Sequence, residues 1–181
     1  MTLYTCGGDD GTTGLFHGGR VPKSDLATNA YGTVDEACAA LGLARALLGE
    51  GEATKEVLLL QKELFVVGAD LAANPTDRAK LEPGTSLVTA RMVERLEALL
   101  DRLVAANPLP DSFVIPGANP ASAALDVART VVRRAERHAV ALRGARRNVN
   151  PEVLRYLNRL GDLLFVLARE AAGESEPKNR R

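Results

Sequence analysis

From residue 25 onward, alanine, leucine and valine alternate with charged side chains at helical spacing. Residues 1–24, rich in Gly, Thr and Asp, show no such period. The pattern predicts a loop followed by five helices. Ser24 or Thr33 is placed to cap the first; Thr33 with Glu36 matches a capping box, but the earlier start, which takes Tyr31 and Gly32 into the helix, is favoured. This helix is expected to stop near Gly49 and Gly51. A second runs from about Thr54 through Ala73, before Asn74-Pro75, and a third from Thr85 or Ser86 to Asn107-Pro108. Asn119 before Pro120 and Asn150 before Pro151 announce the last two, with asparagine as cap and proline at the first helical position.

In the fourth helix Leu125, Ala128, Val132, Ala135, Ala139 and Leu142 recur at alternating steps of three and four, the seam of a left-handed bundle. Val153, Leu157, Leu160, Leu164, Leu167 and Ala171 repeat it in the fifth. Short connections then favour an all-α, five-helix up-and-down bundle with an extended Gly-rich N-terminal loop. The expected organisation is one domain over 1–173, with the loop over 1–24 and the bundle over 25–173. Residues 174–181 are polar and aperiodic, and disorder is expected there.

Composition narrows the chemistry. Lys plus Arg and Asp plus Glu are 23 each, so no global charge excess argues for nucleic acid or an anionic membrane as partner. Cys6 and Cys38 lack metal-ligand spacing and are too few for a disulfide framework, which fits free thiols in a reducing compartment. No stretch reads as a signal peptide or membrane span, so a cytoplasmic protein is expected.

Three segments could carry chemistry. In Thr5-Cys6-Gly7-Gly8-Asp9-Asp10-Gly11-Thr12-Thr13-Gly14 the glycines let backbone amides turn toward an anion and the threonines add hydroxyls, and Lys23 lies just downstream. The segment lacks Walker A spacing, and on composition alone a surface hairpin or a frayed terminus is the more ordinary reading, since such residues usually mark turns. In Ala128 to Arg137, four arginines and Glu136 share about two and a half turns. Arg129 and Glu136 fall on one flank of the seam, Arg133 lies just beyond Arg129, and Arg137 faces away. A salt-bridged solvent face would give the same pattern, but arginine throughout suits bidentate phosphate binding. On the last helix Asn158 and Asp162 are i,i+4 neighbours off the seam. Phe113, in an apolar connection, reads on its own as a core plug. His17 and His138 are isolated and are assigned to neither a metal nor catalysis.

Taken in order, these segments resemble the PduO-type ATP:cob(I)alamin (corrinoid) adenosyltransferases over the whole chain up to the tail. The resemblance rests on Thr5 to Thr13, Val21-Pro22-Lys23, Ala30 to Glu36, Phe113 to Gly117, Ala128 to Arg137 and Tyr156 to Phe165. It implies a homotrimer in which Thr5, Gly8, Asp9, Thr13, Gly14 and Lys23 surround ATP with Arg133, Glu136, Arg137 and Asn158. Asp35 and Arg129 would pair across the interface, and Phe113 would line the corrin site, keeping the lower axial position of cobalt empty. Arg133, Asp35, Arg129 and Phe113 are the implied catalytic set.

The implied reaction transfers the 5′-deoxyadenosyl group of ATP to cobalt(I) of a corrinoid, releasing triphosphate. Mg²⁺ would be held mainly through the phosphates, with no metal site of the protein's own. A flavin-dependent reductase and a B12-dependent enzyme are the implied partners. A non-catalytic carrier of ATP or corrinoid, delivering cofactor to such an enzyme, would use the same motifs. Cys6 stands where the family has Lys or Arg, Ala118 replaces the second glycine of a Pro-Gly-Gly turn, and Ala37-Cys38-Ala39 departs from the usual Leu-Asn-Ser.

Overall fold

The computed structural model describes residues 4–107, 109–110, 112–145 and 147–173; the tail expected to be disordered, 174–181, lies outside them. A small antiparallel hairpin, β1 (Thr12–Gly14) and β2 (Arg20–Pro22), precedes five helices. These are α1 (Leu26–Leu48), α2 (Glu52–Ala72), α3 (Ala90–Ala106), α4 (Pro120–Gly144) and α5 (Pro151–Ala172), with a 3-10 turn over Arg78–Lys80.

The asparagine caps form as expected. Asn119 Oδ1 accepts from Ser122 N at 2.9 Å in a full capping box, and Asn150 Oδ1 accepts from Glu152 N at 3.1 Å. The cap of α1 is Asp25 rather than Ser24: its backbone is extended and its Oδ1 accepts from Ala27 N, two residues on, at 2.8 Å. Thr33 is buried mid-helix and bonds back to Asn29 O at 2.7 Å. The expected start of α3 at Thr85 or Ser86 is also corrected, since Glu82 to Leu87 forms a closed turn in which Ser86 Oγ accepts from Glu82 N.

Helix directions follow from paired side chains. Along α4 and α5, Asn119 Nδ2 donates to Ala171 O, Asp126 pairs with Arg169, the Arg133 side chain crosses Gly161, and Asn158 Nδ2 donates to Glu136 Oε1. This antiparallel ladder is matched by one between α1 and α4, through Asp25 with Arg147, Asn29 with His138 and Glu36 with Arg134. The five helices thus alternate up and down, with α1 packed on α2 and α4, and α5 on α4 and α3. Both sequence-derived seams are buried, apart from a half-buried Ala171.

One polar cluster crosses the core. Tyr156, fully buried, donates to Glu63 Oε2 at 2.7 Å, and Glu63 also takes Arg95 Nε and Nη2 at 2.9 and 2.7 Å. Burial first, and then the Glu63 charge, push the Tyr156 phenol well above its usual 10.0. Above that pH the unfolded chain loses a phenolic proton that the folded chain keeps, so stability falls as pH rises. Tyr156→Phe is expected to cost about 1–2 kcal/mol near neutral pH and to flatten the loss of stability above pH ~10, measured by urea denaturation across pH. An unchanged alkaline slope would contradict this assignment.

Candidate functional site

The Gly-rich segment forms a hairpin preceded by a tight turn, in which Asp9 N donates to Cys6 O and Gly11 N to Gly8 O. Asp10 Oδ1 accepts from Thr12 N at 2.9 Å and Thr12 Oγ1 at 2.8 Å. These bonds, the backbone one first, with Arg20 adding its charge, hold the Asp10 carboxyl below the usual carboxylate range. Arg20 donates to Thr12 Oγ1 through Nε at 3.0 Å and Nη2 at 2.6 Å, and its Nη2 also reaches Gly7 O. Sequence reasoning did not single out Arg20, which stands opposite Gly14 in the hairpin register and reaches diagonally to Thr12.

Lys23 N donates to Gly11 O at 2.8 Å, which folds the Lys23 side chain over Gly8. A Cβ on Gly8 would meet Lys23 Nζ at 3.2 Å and Thr12 O at 3.1 Å, so the glycine lets the lysine close on the turn without displacing either. Lys23 and Asp9 are exposed and form no ion pair among the described residues. Thr5 and Gly14 are exposed on the same segment and Thr13 is half-buried. Cys6 sits at φ 55° with its side chain exposed, so the position usually held by Lys or Arg contributes no charge here.

The arginine helix is ordered as the wheel predicts. Arg129 and Glu136 are half-buried beside the seam, while Arg133 and Arg137 are exposed. Glu136 is tied to Asn158 at 3.1 Å, Asn158 Oδ1 accepts from Arg159 Nη1 at 2.6 Å, and Arg159 pairs with Glu97 at 2.9 Å. Arg137 folds back to donate to Arg133 O at 3.1 Å. Arg134, Arg147, Arg155 and Arg159 each have a carboxylate, whereas the Arg133 guanidinium has none among the described residues. Arg133 and Arg129 open onto a groove of about 560 Å³ between α3, α4 and α5, with Asp162, Phe165, Leu100 and Val104 on its walls.

Asp35 lies elsewhere, on an apolar groove of about 260 Å³ between α1 and α2, with Phe16, Tyr31, Cys38 and Phe65. The hairpin docks at this side: Phe16 N donates to Ala72 O and Asn74 N to Phe16 O, both at 2.9 Å. The fold therefore divides the predicted site between two faces. The loop residues and Asp35 stand with α1 and α2; Arg129, Arg133, Glu136 and Asn158 stand with α4 and α5. No hydrogen bond or ion pair joins the two sets among the described residues.

Within the chain, the buried acid nearest Arg129 is Asp126, at 3.5 Å, not Asp35. Phe113 corrects the reading as a core plug: it is 78% exposed, because the connection from α3 to α4 runs over the surface. No group of three or more His, Cys, Asp or Glu side chains among the described residues could hold a metal. His138 bonds Asn29 O at 3.1 Å and Thr33 Oγ1 at 3.0 Å and joins α4 to α1. No described helix is long and apolar enough to cross a membrane.

The cobalamin adenosyltransferase family model matches residues 3–171. A corrinoid adenosyltransferase from Citrobacter freundii is 43% identical over 167 residues, covering 92% of this chain and 93% of its own length. One from Mycobacterium tuberculosis is 46% identical over 171 residues, covering 93% and 88%. Among solved structures, a variant PduO-type ATP:corrinoid adenosyltransferase from Lactobacillus reuteri, complexed with cobalamin and ATP, is similar at TM-score 0.85 and 31% identity, covering 98% of this chain and 95% of that one. An arginine-to-lysine variant from the same organism, complexed with ATP, is similar at TM-score 0.83 and 32% identity, covering 98% of each chain. With its loop, its arginine helix and its bundle all inside the matched span, the chain belongs to the cobalamin adenosyltransferase family, of the PduO type.

Proposed function

We propose that the chain transfers the 5′-deoxyadenosyl group of ATP to the cobalt(I) of a corrinoid and releases triphosphate. The observation that carries this reading is Arg133. Its guanidinium stands at the mouth of a large, mostly apolar groove with no ion pair among the described residues, while Arg129, Arg134 and Arg159 on the same two helices each have a carboxylate. A planar cation left free beside an apolar cavity suits a bound polyphosphate next to a flat organic ring system.

The chemistry asks little more of the protein. Cobalt(I) attacks the 5′ carbon, the cobalt–carbon bond forms as the carbon–oxygen bond breaks, and the electron pair leaves with the triphosphate. No proton moves at carbon, so no general base is needed. Arg133, Lys23 and the amides around Gly8 would stabilise the charge gathering on the leaving group. Thr5, Asp9, Thr13 and Gly14 on the loop, and Glu136, Arg137 and Asn158 on the helices, would frame the nucleotide. Mg²⁺ fits as an ion carried by the phosphate oxygens, since it keeps several waters and needs only one or two carboxylates. Exposed Phe113 would cover the lower face of the corrin and keep water and axial donors from cobalt.

The division of these residues between two faces supports a homotrimer. A ring of copies, each setting its α1–α2 face against the α4–α5 face of the next, would bring Asp35 to Arg129 and the loop to Arg133 at every interface. A flavin-dependent reductase supplying cobalt(I), a B12-dependent enzyme receiving the product and a cytoplasmic location complete the reading.

Product analysis with ATP and chemically reduced cobalamin tests the reaction: triphosphate is expected, and ADP or pyrophosphate as the main product would contradict it. The shared site has its own test. Mixing Lys23→Ala with Arg133→Ala subunits after mild dissociation is expected to restore roughly a quarter of the native activity, because a quarter of the interfaces then combine an intact loop with an intact arginine. No recovery on mixing would place each site within one chain.

A further inference from the structure

The buried carboxylate of Asp126, one turn before Arg129 on α4, has no place in the reaction as described. Its side chain and that of Arg169 are 6% and 7% exposed, and the two form an ion pair across α4 and α5 through Asp126 Oδ2. The other oxygen, Oδ1, is buried with no hydrogen bond. Arg129 Nε, also buried with no hydrogen bond, lies 3.5 Å from it. An acceptor and a donor left dry at that separation are each destabilising, and a small rotation of either side chain joins them. Such a bond uses the Nε edge of the guanidinium and leaves its outer nitrogens toward the groove. Arg133, one turn further on, has no such acid behind it.

The same carboxylate bears on a second wall of the groove. Arg169, which it holds, lies over the Phe165 ring at 5.0 Å, and Phe165 and Arg129 both line the groove. A single buried acid thus stands behind the cation and, through Arg169, behind the aromatic ring. The arrangement parallels the outer-layer partners that orient ligating side chains in other sites.

We propose that Asp126 is a positioning residue for the transfer reaction: it fixes the orientation of the Arg129 guanidinium at the corrinoid groove, so that the outer nitrogens are ready for the Asp35 carboxylate of a second copy. The proposal rests on the adenosyltransferase reading. In it, charges alternate along Arg169, Asp126, Arg129 and Asp35, and each buried charge has an opposite neighbour. Losing the Asp126 charge leaves Arg129 charged but unaimed.

Two measurements test it. In a double-mutant cycle, Asp126→Asn is expected to lower kcat/KM for cob(I)alamin about tenfold when Arg129 is present and less than about twofold in an Arg129→Ala background. An equal loss in both backgrounds, or a lowered Tm with kinetics unchanged, would overturn the proposal. The second measurement needs only the native protein and no turnover: by NMR, the Arg129 Nε–H is expected to exchange with solvent more slowly than that of Arg133. Equal exchange rates would overturn it. A native protein with a protected Arg129 Nε–H that forms no adenosylated product would instead refute the functional reading alone.

Discussion

Arg133→Ala is expected to lower kcat/KM for ATP by about 10²–10³ while leaving the fold intact, which is the scale of losing one donor to a developing negative charge. The fold is expected to survive because the side chain is exposed and forms no ion pair among the described residues; its Cγ passes over Gly161. Arg133→Lys separates charge from geometry. A lysine keeps the charge but lacks the two-pronged fork, so an intermediate loss of roughly tenfold is expected. Steady-state kinetics with reduced cobalamin in excess, together with circular dichroism, check both variants. Native kinetics in Arg133→Ala would mean that these arginines serve only the surface of the bundle.

The second large effect concerns stability rather than chemistry. Asp70, 1% exposed near the end of α2, accepts from Arg78 Nη2 at 2.5 Å, Val88 N at 2.9 Å and Asn150 Nδ2 at 2.7 Å. One carboxylate therefore joins the end of α2, the 3-10 turn, the entry to α3 and the cap of α5. Asp70→Ala would leave Arg78, whose side chain is 16% exposed, without its carboxylate and Val88 N without an acceptor. The expected cost is about 3–5 kcal/mol, as for other broken buried pairs. Against a total stability on the order of 5–15 kcal/mol, this is enough to lower Tm by many degrees and to populate unfolded chain. Urea denaturation giving less than about 1 kcal/mol would show that water replaces these bonds without difficulty.

Asp70 also explains where sequence reasoning stopped short. The ends of α4 and α5 were legible because each carries a local signal, asparagine before proline, whose chemistry is complete within four residues. The seams were legible because a bundle needs them at fixed spacing. The start of α3 was not, since Thr85 and Ser86 are good caps in isolation. A carboxylate eighteen residues away takes Val88 N, and the Ser86 hydroxyl turns back to Glu82, so the helix begins only at Ala90. The hairpin was open to the sequence only as an alternative, not as strands: three-residue strands leave no alternation to read, and the hairpin is stapled by Arg20 and by the docking of Phe16 on α2.

The family resemblance named candidate residues one by one, but it carried no shape. Periodicity placed Arg129 and Glu136 beside the seam and turned Arg137 outward, as found. It could not show that Asp35 and Arg129 lie on different grooves, because that depends on which helices are neighbours: α1 packs on α4, far from it in sequence. Phe113 was misjudged by the ordinary expectation that aromatic rings are buried, which fails here because the ring sits in a surface connection. Asp126 gave a weak signal, an acid between the seam residues Leu125 and Ala128, which becomes readable only when Arg169 is seen opposite it.

Adenosyl transfer itself is tested most directly by mixing the native protein with ATP, magnesium and chemically reduced cobalamin and following the corrin absorbance. Conversion of cob(I)alamin to adenosylcobalamin, dependent on ATP and on the protein, is the expected result. Tight binding of ATP and corrinoid with no adenosylated product would contradict it and leave a carrier that delivers the cofactor without making it.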